Sequence, residues 1–104
     1  MKNFRTLAQA KLDLREYANY IRLIEEYEPK TLTQHAIYIY AREGNLTRTA
    51  EKLNQMKLHN DKQPLEGKDI KAMILSKPAP DDLLHKEIRR LYKRKVAPPP
   101  KRYY

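Results

Sequence analysis

The chain has 104 residues, enough for one modest hydrophobic core but not two, so we expect a single domain over residues 1–96. It holds only two glycines and is rich in Leu, Ala, Lys, Glu, Arg and Ile, which predicts an all-α fold of four to five helices. The absence of cysteine excludes disulfides and thiolate metal sites. The sequence has no apolar run of about 18 residues and no signal-peptide pattern, so we expect a cytoplasmic protein without a membrane span.

The formal net charge of +9 is unevenly distributed. Residues 1–50 hold 8 basic and 6 acidic side chains, whereas residues 51–104 hold 14 basic and 7 acidic ones. A positive excess attracts phosphate polymers and anionic membrane surfaces alike. The second half is therefore expected to face an anionic partner or water.

A helix with one apolar stripe is predicted between Phe4 and Tyr27, ended by Pro29. The stripe has alternating spacings of three and four and consists of Leu7, Ala10, Leu14, Tyr17, Ile21 and Ile24. It is widened by Leu12, Tyr20, Leu23 and Tyr27. It either packs on the domain's own core, which the shortness of the pattern favours, or forms a heptad-like seam with a second copy. The second interpretation makes the chain a homodimer through its N-terminal helix.

Two short helices joined by a tight turn are predicted next. Thr31 is placed to cap the first, whose middle is nearly all apolar, and Gly44 to end it in the left-handed conformation. Asn45 or Thr47 then caps the second, which runs to about Gln55. With the helix that follows, these elements predict a helix-turn-helix core over residues 33–77.

A further helix is predicted from about Glu66 to Ser76. Ile70, Met73 and Ile74 share its inner side. The opposite side, which we expect to enter a nucleic-acid groove, carries Lys68, Lys71, Ala72 and Leu75, with Ser76 at its margin.

The last helix is predicted to begin after a cap at Asp81 or Asp82. Its inner stripe holds Leu84, Ile88, Leu91 and Tyr92, and its outer side is basic, with Lys86, Arg89, Arg90, Lys93 and Arg94. Three consecutive prolines cannot continue a helix, so residues 97–104 are predicted to form a flexible, Pro-rich, basic tail.

The unit Gly-Asn-Leu-Thr-Arg-Thr-Ala-Glu-Lys-Leu at residues 44–53 resembles the opening of many bacterial helix-turn-helix domains, including those of LysR-type regulators. A longer stretch, from Ala50 to Ile74, resembles the helix-turn-helix segment of large serine recombinases. The matching positions are Ala50, Leu53, Asn54, Leu58, Leu65, Ile70 and Ile74. Two positions depart from that pattern, with Lys57 in place of a common glycine and Leu65 in place of a frequent tryptophan. The recombinase catalytic domain is missing, so the resemblance implies a DNA-reading helix at residues 66–76 and no strand cleavage.

The resemblance also implies roles for particular side chains. Lys68 and Lys71 would meet bases or phosphates, while Thr47, Arg48 and Thr49 at a helix N-terminus would hold a phosphate. The basic last helix would grip the backbone and make binding strongly salt-dependent. The alternative is that Thr47 only caps a helix and the cations only form a solvated face.

Catalytic and metal chemistry is not indicated. His35, His59 and His85 lack metal-ligand spacing, and the sequence contains neither a phosphate-binding loop nor a nucleophile motif. The leading hypothesis is a non-enzymatic, cofactor-free protein that binds duplex DNA, as a transcriptional regulator or accessory factor of a bacterium, phage or mobile element. The alternative is a protein-interaction adaptor or inhibitor that uses the N-terminal helix, and RNA binding is a third option.

Overall fold

The computed structural model describes residues 4–57 and 63–96, which form five α-helices and no strand. The helices are α1 (Leu7–Glu25), α2 (Leu32–Glu43), α3 (Leu46–Met56), α4 (Gly67–Leu75) and α5 (Leu83–Val96). The predicted all-α fold is confirmed. The predicted tail at residues 97–104, as well as Leu58 and His59, lies outside the described residues.

Hydrogen-bonding side chains fix where the first three helices begin. The side chains of Thr6 and Thr31 each accept a hydrogen bond from the backbone amide three residues later, where a glutamine side-chain oxygen accepts one from the amide of the cap residue. Such reciprocal pairs satisfy backbone groups that a helix end leaves unpaired. Of the two residues predicted to cap α3, Asn45 does so, accepting a bond of 2.9 Å from the amide of Arg48.

Two residues in the left-handed conformation end α2 and α3. Gly44 has φ 67°, and its amide donates to the carbonyl of Tyr40 at 2.8 Å. Lys57 has φ 54° and is the non-glycine residue with positive φ among the described residues. A side chain is strained in this region, whereas glycine adopts it freely. Lys57 thus carries strain at the position where the recombinase pattern commonly has glycine.

Replacing Lys57 with glycine should raise the free energy of unfolding by about 0.5–1 kcal/mol, because the relief of strain exceeds the extra entropy of the unfolded chain. Urea denaturation would measure the change. Lys71→Gly is the matched control, since Lys71 lies inside α4 and the same substitution there should cost about 1 kcal/mol. Destabilisation of similar size by both substitutions would contradict the assignment of strain to Lys57.

The core is built from helices α2 to α5 and from Leu65, which lies two residues before α4. Its fully buried members include Ile37, Leu53, Ile70, Ile74 and Leu84. Leu65 is held beside it by Asn54, whose side chain donates to the Leu65 carbonyl at 3.0 Å and accepts from the Leu65 amide at 2.8 Å. This two-bond clamp ties the end of α3 to the approach to α4.

Most of α1 lies away from that core. None of its residues is buried against the described part of the chain, and Leu7, Leu14 and Tyr17 are 72%, 70% and 67% exposed. The helix meets the body through Tyr20, Leu23 and Ile24, which pack against the core cluster. The favoured interpretation of the stripe as a core-packing face is therefore wrong for most of its length, because only the last two turns of α1 reach the body.

Tyr27, just after α1, anchors this helix to the body. Its hydroxyl donates to Oδ2 of Asp82 at 2.8 Å, while Oδ1 of Asp82 accepts from the amide of His85 at the start of α5. The Tyr27 ring also stacks on Tyr38, with centroids 6.2 Å apart. Burial, together with the hydrogen bond to Asp82, raises the pKa of Tyr27 well above its usual range.

This raised pKa predicts alkaline sensitivity. Because the folded-state pKa exceeds the unfolded value, the stabilisation is complete below about pH 10 and is lost as pH rises beyond it. Between about pH 9 and 11, the free energy of unfolding should fall less steeply in Tyr27→Phe than in the wild type. Tyr17→Phe is the control, because it removes the same hydroxyl group from a ring that is exposed. Denaturant titrations at each pH would measure both slopes, and an unchanged slope in Tyr27→Phe would contradict the assignment.

Candidate nucleic-acid interface

Helix α4 presents one buried and one exposed side, as predicted, except that Leu75 of the predicted outer side is partly buried and packs against the core. Ile70 and Ile74 are fully buried, whereas Lys68, Lys71 and Ala72 are exposed. The ammonium of Lys68 lies 3.4 Å from a carboxylate oxygen of Glu66, and the side chains of both are mostly exposed. Such a pair is worth little in water, so it leaves Lys68 able to exchange partners. Both lysines are accessible to a ligand on this side.

The N-terminus of α4 lies against the first turn of α3. A β-carbon built on Gly67 would be 3.4 Å from Cβ of Leu46 and 3.6 Å from Oγ1 of Thr47, which is van der Waals contact. Thr47, predicted to hold a phosphate, is exposed at this junction. The structure therefore brings Thr47 close to the start of the exposed lysine side.

The C-terminus of α4 is held by α5. Nε2 of His85 lies 3.0 Å from the carbonyl oxygen of Ile74, and Nε of Arg89 donates to the carbonyl of Leu75 at 3.2 Å. The Ser76 hydroxyl donates to the carbonyl of Met73 at 2.6 Å, so this predicted contact residue already has a local partner. These bonds satisfy carbonyls that a helix end leaves unpaired. They fix α4 relative to the basic helix.

A basic groove of about 560 Å³ opens beyond the C-terminus of α4, between the α4–α5 connection and α5. We define the groove by its lining residues, which are Lys77, Pro78, Pro80, Lys86, Arg89, Arg90 and Lys93. Five of these are cations, and the described lining contains no carboxylate. A concave surface lined by one sign of charge concentrates counter-ions of the other sign. The groove is thus suited to an anion such as a phosphate backbone.

The cations of the groove differ in how they are held. Arg90 pairs with Glu87 through both of that residue's carboxylate oxygens, and the ammonium of Lys86 donates to the carbonyl of Pro80. The side chains of Lys77 and Lys93 form no hydrogen bond or ion pair within the described part of the chain. The helical pattern of the sequence does not identify Lys77, because Lys77 lies beyond the end of α4. Lys77 belongs to the groove because the α4–α5 connection lies beside α5 in the folded structure.

The basic face of α5 is divided between two grooves. Lys86, Arg89 and Lys93 line the basic groove, whereas Arg94 lines a second groove of about 510 Å³ between α1 and α5. Arg90 lines both, and the second groove also contains Glu16 and Glu87. Arg94 therefore lies in a mixed-charge environment apart from the other predicted contacts on this helix.

The N-terminus of α3 fits the prediction only in part. Thr47 and Arg48 are exposed, but Thr49 is completely buried and its hydroxyl donates to the carbonyl of Asn45 at 2.8 Å. Thr49 cannot reach a phosphate, so its assignment to the interface is wrong. Thr49 shares the buried side of α3 with its neighbour Ala50. Its hydroxyl donates to a backbone carbonyl of the preceding helical turn.

Glu43 offsets the positive charge beside the start of α3. Lys52 pairs with its carboxylate, and the guanidinium of Arg48 lies 3.8 Å from the same group. The hydrogen bond from Lys52, followed by the nearby positive charges, lowers the pKa of Glu43. Arg48 is consequently a less available cation than Lys77 or Lys93.

Within residues 4–57 and 63–96, no group of three or more His, Cys, Asp or Glu side chains could hold a metal ion. In the same residues, no helix has the length and apolar character needed to cross a membrane.

No protein-family model, curated protein or solved structure matches this chain. The resemblances to large serine recombinases and LysR-type regulators therefore remain predictions from sequence.

Proposed function

We propose that the protein binds duplex DNA without catalysing a reaction, as a small regulator or accessory factor of a bacterium, phage or mobile element. The observation that carries this proposal is the basic groove beyond the C-terminus of α4, whose described lining holds five cations and no carboxylate. Contacts to phosphate dominate the affinity of most DNA-binding proteins. A groove of this charge supplies them.

The two ends of α4 suggest how the duplex would be held. This helix of 9 residues is roughly 13 Å long, similar to the width of a DNA major groove, which is about 12 Å. Thr47 lies at its start and the basic groove at its end. In this arrangement Lys68 and Lys71 face base edges, while the two flanking sites contact the phosphates on either side.

Salt dependence is the direct test of the proposal. Five phosphate contacts predict a slope of about −4.5 for log affinity against log salt, or about a 500-fold loss between 50 and 200 mM. Fluorescence anisotropy with a labelled random duplex would measure the slope. A dissociation constant weaker than about 100 μM at low salt would refute DNA binding, since non-specific binders usually exceed that affinity. Tighter binding to duplex RNA than to duplex DNA would favour the RNA alternative.

The role of α4 in reading sequence has a separate test. Selection from a random duplex pool would define the preferred site. The double variant Lys68→Ala, Lys71→Ala should then lose about 1–3 kcal/mol of preference for that site over random DNA. Lys11→Ala, Lys30→Ala removes the same charge away from α4 and should keep the preference. If the α4 variant weakens binding equally to every sequence, α4 is not the reading helix.

A further inference from the structure

The outer face of α1 is an apolar seam that the rest of the described chain leaves uncovered from Leu7 to Ile21. We define the seam as Leu7, Ala10, Leu14, Tyr17, Ile21 and Ile24. All but Ile24 are exposed, and Ile21 at 51% is still half open. At 100° per residue, the centre of the seam points about 120° away from Tyr20 and Leu23, and of the seam residues only Ile24, at its end, also packs against the core. A second helix can therefore lie along the seam without displacing the body.

The first part of α1 also lacks the packing that normally stabilises a helix. Among the described residues its side-chain support is local, namely the Thr6–Gln9 capping box and an ion pair of 3.1 Å between Arg5 and Asp13. Helical segments shorter than about 12–15 residues are marginal in water unless an apolar face is packed. A partner along the seam would supply that packing.

The residues of the seam are complementary to a second copy running in the opposite direction. In an antiparallel pair, residues of the two chains face each other in three kinds of contact, and the two-fold axis repeats each of them. The facing residues are Leu7 with Ile24, Ala10 with Ile21, and Leu14 with Tyr17 of the other chain. The smallest residue then meets a large one. A parallel pair would set Ala10 against Ala10 and Tyr17 against Tyr17, which leaves a gap in one layer and crowds another.

Charge and area also fit a second copy. Residues 5–26 hold four basic and four acidic side chains, so this segment is neutral within a chain of net charge +9. Two such segments can meet without repulsion, whereas an anionic partner gains nothing from the seam. Covering the exposed seam on both chains would remove roughly 1,200 Å² from water, the lower limit for specific interfaces.

We propose that the seam binds the same seam of a second copy, so that the protein is an antiparallel homodimer through α1. The interface is isologous, meaning that one surface meets itself about a two-fold axis. This proposal does not rest on DNA binding, because the seam and the basic groove share no residue.

Sedimentation equilibrium of the full chain over a range of concentrations tests the dimer. The wild type should dimerise, and Leu14→Gln should weaken the dimer about 100-fold, since each dimer loses two buried leucines. Leu12→Gln is the matched control, because Leu12 is also exposed on α1 but points about 160° away from Leu14. It should dimerise like the wild type. Circular dichroism would confirm that both variants retain the folded body.

A wild type that stays monomeric at all concentrations would overturn the proposal and leave the seam to a different protein. Equal weakening by Leu14→Gln and Leu12→Gln would overturn it as well.

Cysteine crosslinking tests the direction, and the chain has no cysteine to interfere. Ala10→Cys and Ile21→Cys chains, once mixed, should form a disulfide-linked heterodimer under mild oxidation, because these positions face each other in the antiparallel pair. Neither variant alone should crosslink, since its two cysteines would be about 16 Å apart along the helices. Crosslinking of each variant alone, without the heterodimer, would show a parallel pair and refute the antiparallel one.

Discussion

Replacing Lys77 and Lys93 together with glutamine is expected to lower the affinity for random duplex DNA about 50-fold at 0.1 M salt. Both lysines line the basic groove, and neither has an intramolecular partner in the described part of the chain. Their ammonium groups are thus available to phosphates, and each lost contact forfeits the release of about 0.9 counterions. The slope of log affinity against log salt should fall by about 2.

Fluorescence anisotropy at several salt concentrations would measure both quantities. Lys11→Gln, Lys30→Gln is the matched control, because it removes the same charge from exposed positions outside the groove. A general effect of net charge would weaken the two double variants alike, and that result would remove the groove from the binding surface. Thermal unfolding should be nearly unchanged in both variants, since surface substitutions away from specific contacts have small effects.

The largest effect on stability is expected from Ile70→Ala, which should lower the free energy of unfolding by about 3–4 kcal/mol. Ile70 is fully buried, and α4 has only two buried residues with which to hold itself to the core. The loss combines the lost transfer free energy of the side chain with the cavity left behind. It would consume a large share of the roughly 5–15 kcal/mol that stabilises a domain.

Urea denaturation would measure this loss. The control Leu12→Ala, in which an exposed aliphatic residue of α1 is shortened, should change the free energy of unfolding by no more than about 0.5 kcal/mol. A loss below about 1 kcal/mol in Ile70→Ala would mean that α4 does not depend on this contact for its place in the fold.

Local sequence signals predicted the helices of the body well. Thr31 with Gln34, Gly44 and Asn45 act within a few residues of their own position, and each fixes a helix end as expected. The two sides of α4 also followed from periodicity, because a short helix between polar segments can bury only its apolar stripe.

Features that depend on tertiary placement were not predictable in the same way. Periodicity identified the apolar stripe of α1 but not what covers it, and the body meets only the end of the helix, at Tyr20, Leu23 and Ile24. Thr49 lies between exposed and buried neighbours, so its burial depends on the exact rotation of α3. Lys77 joined the candidate site only because the α4–α5 connection folds back, which no local pattern encodes.

The two hydrogen bonds between Asn54 and Leu65 make the position of α4 independent of the length of the chain between these residues. Both backbone groups of Leu65 are held by one side chain of α3, so α4 starts from a point fixed to α3 itself. Lengthening a flexible loop costs only about 0.6 kcal/mol for each doubling of its length. An insertion between Asn54 and Leu65 is therefore expected to leave the orientation of α4 unchanged.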